Sequence, residues 1–410
     1  MKDKVKEKLK NNKIIYNFLR YNYKFFYCFL CVKIFSLIFK LCPIKNNRIV
    51  VCSYYGKGYG DNPKAIVEKL LLKYPNTFEI IWALDSNSWN DSGLPKAIKK
   101  VKYKSIKNLY YLSTAKIWID NSRKEFLPSK GRKQIYIQTW HGSYPIKKVE
   151  KDAVEKLPWY YNARAKKDSK YADLFLSGSI WTTKLIKRSF YYNGKILEYG
   201  IPKDDILIDK SIHNIIKNKV KKELNIPLKN MVVLYAPTFR KVTNYDPYNI
   251  DIIGLKSAFE KKYNINCTVI VRVHPNMLES NDFTNFSKQE NVINGSYYPD
   301  MQELLILSDV LITDYSSTMF EFGLLKKPVF LYANDLKSFI GDRGFYFDIK
   351  KLPFILSENN TELLNNINRF SKNDYLKSIN NFYDKMGIKE TGKSSEIISD
   401  MIKEWCYEKK

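Results

Sequence analysis

This chain of 410 residues contains only 3 histidines, 6 cysteines, 16 glycines and 15 prolines. Cys28 and Cys31 have the spacing of half a zinc site, but no second pair follows, and structural zinc takes four ligands. No cluster of acidic residues indicates a metal pair. The low glycine and proline content excludes collagen-like and linker-like chains. The sequence therefore predicts no metal site, and its scattered cysteines are typical of a reducing compartment.

A long apolar segment is missing as well. A helix needs about 20 apolar residues to cross a bilayer, and the run at 25–39 is shorter and includes Lys33. On a helical wheel, one side of the N-terminal segment is basic and carries Lys2, Lys6, Lys10, Lys13, Arg20 and Lys24. The opposite side is apolar and carries Ile15, Phe18, Phe26 and Phe29. Residues 1–45 are therefore predicted to lie along an anionic membrane surface without spanning it. A helix packed on the body of the protein is the alternative.

Positive charge is in excess, with 69 Lys and Arg residues against 42 Asp and Glu residues and a net charge of +27. Such a surplus attracts polyanions, among them nucleic acids, anionic lipid headgroups and nucleotides. The chain has no helix-turn-helix, zinc-finger or RNA-recognition pattern, so nucleic-acid binding is not predicted. Hydrophobic residues make up 45%, which is ordinary for a packed globular protein and excludes a mainly disordered one.

Short apolar runs alternate with helical stretches along the rest of the chain, which is typical of an α/β fold with doubly wound parallel sheets. The predicted strands of the first half are 48–53, 79–84, 115–120, 134–139, 174–176 and a segment near Leu197. Those of the second half are 231–236, 268–273, 310–313 and 328–332. We predict two Rossmann-like domains that face a cleft, the GT-B architecture, at 46–205 and 230–385. A polar linker at 206–229 separates them, and a C-terminal helix lies within 386–410.

Four segments follow predicted strands at the carboxyl edge of a sheet, where open α/β sheets bind their ligands. They are Gln-Thr-Trp-His-Gly at 138–142, Tyr-Ala-Pro-Thr-Phe-Arg at 235–240, Arg-Val-His-Pro at 272–275 and Thr-Asp-Tyr-Ser-Ser-Thr at 313–318. His141 and His274 suit proton transfer near pH 7, and Arg240 suits a phosphate. Ser316 and Ser317 open a predicted helix whose first N–H groups attract anions. Each has an ordinary alternative: a structural histidine, a surface cation or a helix cap.

The glycine-rich loop at 56–60 reads GxGxG and lacks the GxGxxG spacing and the distant acidic residue of a dinucleotide site. Asn62 and Pro63 come next, and they are predicted to cap and begin a helix. His213 lies in the polar linker and receives no role.

These motifs together resemble the CDP-glycerol:poly(glycerophosphate) glycerophosphotransferase family of teichoic-acid primases and polymerases and their capsule relatives. The resemblance covers residues 48–385 and includes two further strings, Gly-Asp-Asn-Pro at 60–63 and Arg-Gly-Phe-Tyr-Phe-Asp at 343–348. One difference is that Ser-Tyr-Pro-Ile-Lys at 143–147 stands where the family usually has Thr-Pro-Leu-Lys. That loop borders the acceptor side, so a different acceptor is one implication.

The resemblance implies a peripheral enzyme at the cytoplasmic face of the bacterial membrane. It implies transfer of an alditol phosphate from CDP-glycerol or CDP-ribitol to a hydroxyl of a lipid-linked teichoic-acid or capsule acceptor, with release of CMP and without a cofactor. By resemblance, His141 is the catalytic base and His274 a second catalytic histidine, while Arg240, Ser316 and Ser317 grip the donor pyrophosphate. The matching motifs add four substrate-binding positions, which are Gly142, Thr238, Asp314 and Asn62. The first domain then binds the acceptor and the second the CDP-alditol.

Two other functions remain open from the residues. A nucleotide-sugar glycosyltransferase of cell-surface polysaccharide synthesis uses the same fold, and a non-enzymatic basic protein would bind nucleic acid. The residues do not choose between glycerol and ribitol, or between priming and polymerisation. They indicate neither an oligomeric state nor a magnesium requirement.

Overall fold

The computed structural model describes residues 32–90, 93–142, 144–238, 240, 249–273, 290–336 and 344–407. Residues 1–31, which hold most of the predicted N-terminal segment, lie outside the described residues, as does His274. The described chain forms two parallel β-sheets, each with an apolar core on both of its faces. The predicted α/β class with parallel sheets is therefore confirmed.

The first sheet has seven parallel strands in the order β3-β2-β1-β4-β5-β6-β7. The strands are β1 Lys45–Cys52, β2 Glu79–Leu84, β3 Lys99–Lys102, β4 Ala115–Asp120, β5 Ile135–Gln138, β6 Leu174–Leu176 and β7 Lys195–Leu197. The central strand β4 is buried almost end to end, and β1 is buried from Arg48 onward, because helices cover both faces of a parallel sheet.

The second sheet has six parallel strands in the order β10-β9-β8-β11-β12-β13. They are β8 Met231–Tyr235, β9 Cys267–Val271, β10 Val292–Asn294, β11 Val310–Thr313, β12 Val329–Tyr332 and β13 Ile355–Ser357. Taken from its own first strand, this order is 3-2-1-4-5-6, the common order of dinucleotide-binding sheets, and the first sheet repeats it with one strand more. In both sheets the strand order reverses beside the first strand, which creates a crevice at the carboxyl edge.

Helices connect these strands and cover the sheets. They are α1 at 32–39, α2 Asp61–Lys73, α3 Ile106–Thr114, α4 Trp159–Tyr171, α5 Ile180–Ser189, α6 Asp205–Ile208, α7 His213–Glu223, α8 Ile252–Tyr263, α9 Met301–Leu307, α10 Thr318–Leu324, α11 Asn360–Arg369, α12 Lys372–Met386 and α13 Ser394–Tyr407. Short 3-10 turns lie at Tyr54–Gly56, Glu150–Lys156, Pro202–Asp204, Lys210–Ile212 and Ile349–Lys351.

The chain crosses between the two halves twice. It first passes through 206–229, where α6 and α7 lie and where Val220 and Ile226 are buried in the core of the second half. After α12 it returns, and α13 packs on α2 and β1. The apolar side of α13, with Ile398 and Ile402, belongs to the core of the first half. The C-terminal helix therefore completes the first half and ties the two halves together.

Two local predictions differ from the structure. The prediction that Asn62 caps α2 is wrong, because this helix begins at Asp61 and the amide of Asn62 bonds elsewhere, to the Trp140 carbonyl oxygen. The edge strands β3, β10 and β13 were not predicted. The strand β3 reads Lys-Lys-Val-Lys and buries only Val101, so it lacks the apolar run that marks a buried strand.

Helix α1 is the described end of the N-terminal segment. One side of it packs on the first half, where Val32, Phe35 and Phe39 contact the core and the Phe39 ring meets Tyr110 edge-on at 5.5 Å. Its other side is open to solvent. Among the described residues, none of the helices has the length and apolar character that a membrane crossing requires.

Candidate active site

His141 lies three residues beyond the end of β5, in the crevice at the carboxyl edge of the first sheet. Its Nδ1 is 2.8 Å from the carbonyl oxygen of Asn121, which follows β4. A carbonyl oxygen can only accept a hydrogen bond, so Nδ1 carries the proton and donates it. The Nε2 atom of the neutral ring therefore keeps its lone pair, which is the tautomer that a general base needs.

The surroundings of His141 favour its neutral form. Burial lowers the pKa of His141 below its ordinary value, and the ammonium of Lys203 lowers it further. The Asn121 carbonyl and the carboxylate of Asp61 act in the opposite direction but do not outweigh burial. At neutral pH the ring is consequently uncharged and able to accept a proton.

Aromatic rings fix the plane of the imidazole. Trp140 stacks on His141 with ring centroids 4.4 Å apart, and Tyr54 lies against it at 5.7 Å. Trp140 is held in turn by Phe190, which it meets edge-on at 4.8 Å, and its backbone N–H donates to the side-chain oxygen of Gln138. The histidine thus sits in a packed aromatic frame.

A buried ion network supports this frame from below. The Arg123 guanidinium is fully buried and donates to Glu150 through Nε at 2.7 Å and to Asp168 through Nη1 at 3.0 Å. It also lies 5.7 Å from the centre of the Trp140 ring. Buried charges of this kind are tolerated only when they are paired and hydrogen-bonded. The network therefore constrains the position of Trp140 and, through it, that of His141.

The backbone around His141 is strained. Tyr54, Tyr55, Asp61 and Trp140 all have positive φ angles, of 45°, 62°, 63° and 55°. Residues with a Cβ rarely adopt this region, and such residues cluster at functional sites, where the surrounding structure holds them in place.

In the second half, three of the predicted substrate-binding residues contact one another at the ends of β8 and β11. The Asp314 carboxylate accepts hydrogen bonds from the backbone N–H of Thr238, at 2.9 Å, from the Thr238 hydroxyl and from Arg240 Nη2, at 2.9 Å. Arg240 also donates through Nε to Asp335 at 2.7 Å and lies 4.9 Å from the centre of the Tyr315 ring. Burial would lower the pKa of Arg240, but the two carboxylates raise it. The guanidinium is therefore fixed as a cation at the edge of the sheet.

The two predicted serines lie between β11 and α10. Ser316 Oγ donates to the Thr318 hydroxyl at 2.9 Å. Ser317 faces the other half of the molecule: a Cβ placed on Gly142 would lie 3.4 Å from Ser317 Oγ. The structure thus brings together the histidine segment of the first sheet and the serine segment of the second, as expected if both serve one site.

Asn62 joins this contact in a way the sequence did not indicate. Its Nδ2 donates to the Trp140 carbonyl oxygen at 3.0 Å, and its Oδ1 accepts the backbone N–H of Lys203 at 3.1 Å. The Lys203 ammonium lies against the Glu321 carboxylate at 2.9 Å and the Asp61 carboxylate at 3.4 Å. Lys203 and Glu321 carry no motif signal, since lysine is frequent in this chain and Glu321 reads as one residue of an apolar helix.

The roles predicted for the site residues stay predictions, although the positions of all but one are now described. His274 lies outside the described residues, so its catalytic role stays a prediction. Within the part of the chain that the structure describes, no group of three or more His, Cys, Asp and Glu side chains is arranged to hold a metal ion.

Comparison of the chain with known proteins identifies a matching family. The family model described as CDP-Glycerol:Poly(glycerophosphate) glycerophosphotransferase matches residues 34–404. A teichoic acid glycerol-phosphate transferase of Staphylococcus aureus is 34% identical over 388 residues, which cover 90% of this chain and 95% of that protein. A teichoic acid poly(glycerol phosphate) polymerase of Staphylococcus epidermidis is 31% identical over 385 residues, which cover 90% of this chain and 52% of that protein. The chain therefore spans about half the length of the second relative and nearly all of the first.

A similar structure has been solved. It is a histidine-to-alanine variant of the wall teichoic acid polymerase TagF, which superimposes with a TM-score of 0.79 and 29% sequence identity. The match covers 91% of this chain and 93% of that one. The likeness extends over both sheets and is not confined to one half.

Proposed function

The chain belongs to the CDP-glycerol:poly(glycerophosphate) glycerophosphotransferase family, and on that premise we propose that it transfers glycerol phosphate from CDP-glycerol to a hydroxyl of a lipid-linked teichoic-acid acceptor, releasing CMP. The observation that carries this proposal is the His141–Asn121 hydrogen bond of 2.8 Å, which leaves Nε2 of a neutral imidazole unprotonated beside the place where Gly142 approaches Ser317. Glycerol is proposed over ribitol because the relatives compared above are named for glycerol phosphate.

In the proposed reaction the acceptor hydroxyl attacks the β-phosphorus of CDP-glycerol. A bond forms between the acceptor oxygen and phosphorus, the bond from phosphorus to the bridging oxygen breaks, and CMP leaves with the electron pair. His141 Nε2 takes the hydroxyl proton, a contribution of about 10²–10⁴-fold when the base is well placed. Positioning and charge stabilisation make up most of the remainder in phosphoryl transfer.

The second half is proposed to bind the donor. Ser316 and Ser317 offer hydroxyl donors to the diphosphate, and Arg240 and Thr238 lie at the end of the neighbouring strand. Since Arg240 already bridges two carboxylates, we propose that it acts on the diphosphate from a fixed position, together with Asp314. His274 follows β9 in sequence and is proposed to act on the same side.

We propose that the two halves are the domains of a GT-B enzyme, with 46–205 as the acceptor domain, 206–229 as the linker and 230–385 as the CDP-alditol domain. The repeated strand order and the crevice that both sheets form beside their first strand support this division. The helix within 386–410 returns to the acceptor domain.

A membrane-surface role is proposed for the N-terminal segment, at the cytoplasmic face where CDP-alditols are available. Ile34, Leu37, Ile38 and Leu41 recur at the spacing of one helix face and are 46%, 65%, 49% and 88% exposed. A basic segment with such a face suits the interface of an anionic bilayer. Co-sedimentation of the full chain with phosphatidylglycerol vesicles tests this role. Replacing Leu37 and Ile38 by Ser should weaken binding, whereas Leu72→Ser, at a position 77% exposed on α2, should not.

The mode of membrane contact has its own test. Protein that is released from membranes by alkaline carbonate supports a surface mode. Protein that stays with the bilayer after this treatment contradicts it and indicates a true span.

The reaction itself is tested with the purified full-length chain and a lipid-linked acceptor analogue. Separate incubations with CDP-glycerol, CDP-ribitol and UDP-N-acetylglucosamine are followed by CMP or UDP release and by mass spectrometry of the acceptor. We expect CMP release and addition of glycerol phosphate. Transfer from the UDP-sugar alone would overturn the proposal in favour of a glycosyltransferase, and transfer from CDP-ribitol alone would correct the alditol. Parallel incubations with a capsule-type acceptor distinguish the two acceptor classes.

A further inference from the structure

Three charged side chains from three parts of the chain meet between the two halves, beside the candidate site. Asp61 begins α2 of the first half, Lys203 lies in the 3-10 turn where the chain leaves that half, and Glu321 lies on α10 of the second. Lys203 Nζ is 2.9 Å from Glu321 Oε1 and 3.4 Å from Asp61 Oδ2. The side chain of Lys203 is only 10% exposed, that of Asp61 6% and that of Glu321 4%, so water screens the charges little. We call these three residues the interdomain charge bridge.

The bridge touches His141 from two directions. Lys203 Nζ donates to the carbonyl oxygen of His141 at 3.3 Å. Asp61 accepts hydrogen bonds from the Tyr54 hydroxyl at 2.7 Å and from Asn121 Nδ2 at 3.1 Å. Asn121 is the residue whose carbonyl oxygen fixes the imidazole tautomer. The backbone of His141 is therefore hydrogen-bonded to Lys203, and Asn121, the hydrogen-bond partner of its ring, is bonded to Asp61.

The other end of the bridge is fastened to the serine segment. Glu321 belongs to α10, the helix that begins directly after Ser317, and its second carboxylate oxygen accepts Gln302 Nε2 at 2.9 Å. A rigid helical turn therefore connects the Lys203 contact to Ser317. Lys203 therefore links the backbone of His141 to the helix that begins directly after Ser317.

Stability alone does not explain such a bridge. Burying three ions is unfavourable unless their geometry is good, and an apolar replacement is often as stable. Burial would lower the pKa of Lys203, but Asp61 and Glu321 raise it well above its usual value, so the ammonium persists. The ammonium of Lys203 therefore stays charged at a place where it affects both the charge and the position of His141.

We propose that Lys203 is a positioning residue of the transfer reaction, which holds His141 in register with the donor-binding serines of the other half and places an ammonium beside it. The proposal rests on the proposed function for its kinetic readout. The charged and titratable groups that face His141 are Tyr54 and Asp61 from the first half and Lys203 from the crossing segment, with Glu321 of the second half behind Lys203.

The test compares Lys203→Met, Lys203→Arg and Asp61→Asn in the full-length chain. Lys203→Met should lower kcat at least tenfold while KM for CDP-glycerol changes less than threefold, because the donor contacts remain. Removing the ammonium leaves Asp61 unopposed, so the acid limb of the pH profile should move to higher pH. Asp61→Asn should move it to lower pH. Lys203→Arg, which keeps the charge, should restore at least a third of kcat.

Lys64→Met is the matched control. Lys64 also joins the two halves, with its Nζ 2.5 Å from Asp300 Oδ2, but it is not among the groups that contact His141 or shift its pKa. Its loss should change kcat less than twofold and leave the pH profile unmoved. Equal effects of Lys64→Met and Lys203→Met would overturn the proposal, because any ion pair between the two halves would then support turnover equally well.

A second readout does not depend on the reaction. The imidazole titration of His141 is followed by NMR, where the three histidines are assigned with His213→Gln and His274→Gln. The titration should move upward in Lys203→Met and downward in Asp61→Asn. If the wild-type chain releases no CMP, the proposed function fails while this titration still decides the role of the bridge. An unmoved titration in either variant refutes it, and Asp61→Asn carries the test if Lys203→Met does not fold.

Discussion

The replacement of His141 by Gln is the sharpest test of the proposed chemistry. Glutamine can still donate to the Asn121 carbonyl in place of the Nδ1–H bond of 2.8 Å, but its amide cannot accept a proton at neutral pH. Loss of the base should lower kcat by about 10²–10⁴-fold, which is a rise of about 3–5 kcal/mol in the barrier. Because the side chain lies in the first half, the affinity for CDP-glycerol should change little.

The wild-type pH profile tests the same assignment. Activity requires the neutral imidazole, so it should fall as the pH drops through the pKa of His141. Burial lowers that pKa below its ordinary value, so the acid limb of kcat/KM should lie below about pH 6.5. The sign follows from burial, which disfavours the charged form.

The assay is CMP release under saturating CDP-glycerol, combined with calorimetric titration of CDP-glycerol in the absence of acceptor. His213→Gln is the control, since this histidine lies on α7 and bonds the Ile206 carbonyl oxygen at 2.9 Å. It should retain wild-type turnover. Near-normal turnover of His141→Gln, or loss of donor binding instead of turnover, would refute the reasoning and make His274 the leading candidate for the base.

Four further predictions follow from contacts in the structure. Ser317→Ala should raise KM for CDP-glycerol, since a lost hydrogen bond to a charged phosphate costs about 1.5–3 kcal/mol; unchanged KM would exclude the contact. Gly142→Val should lower kcat more than Gly142→Ala, because the Cβ of alanine would lie 3.4 Å from Ser317 Oγ and the further methyl groups of valine would have to displace it; equal rates would contradict this. Arg240→Met should weaken donor binding and lower the free energy of unfolding by about 3–5 kcal/mol in urea titrations, as it removes the cation that bridges the buried carboxylates of Asp314 and Asp335. Glu390 lies between α12 and α13 and accepts the backbone N–H of Ile201 at 2.9 Å. Burial raises the pKa of Glu390 well above its usual value, so its contribution to the free energy of unfolding is complete below about pH 4.3 and is lost as the pH rises through the raised pKa. Glu390→Gln should therefore raise Tm at pH 8 and leave it unchanged near pH 4, and a Tm difference independent of pH would contradict the assignment.

The amino-acid sequence alone determined the class of fold and the segments that carry the site. Strands such as β1, β8 and β11 could be predicted because a strand covered on both faces is mostly apolar. Short runs of Val, Ile and Leu in the sequence indicate such strands. The histidine and serine segments could be recognised because they directly follow such strands, where parallel sheets bind ligands. The family resemblance, confirmed by comparison, rested on the same segments.

Only the tertiary structure decided which side chains meet. Asn62 looked like a helix cap from its neighbours in sequence, but its amide is used by Trp140 and Lys203, which lie far from it along the chain. The strand β3 has almost no apolar residue, because it lies at the exposed edge of the sheet and only Val101 is buried. Lys203 and Glu321 are separated by more than a hundred residues, and neither has a local pattern. Local sequence encodes periodicity and turn chemistry, whereas an ion pair between two halves depends on how those halves pack, and that information is spread over the whole chain.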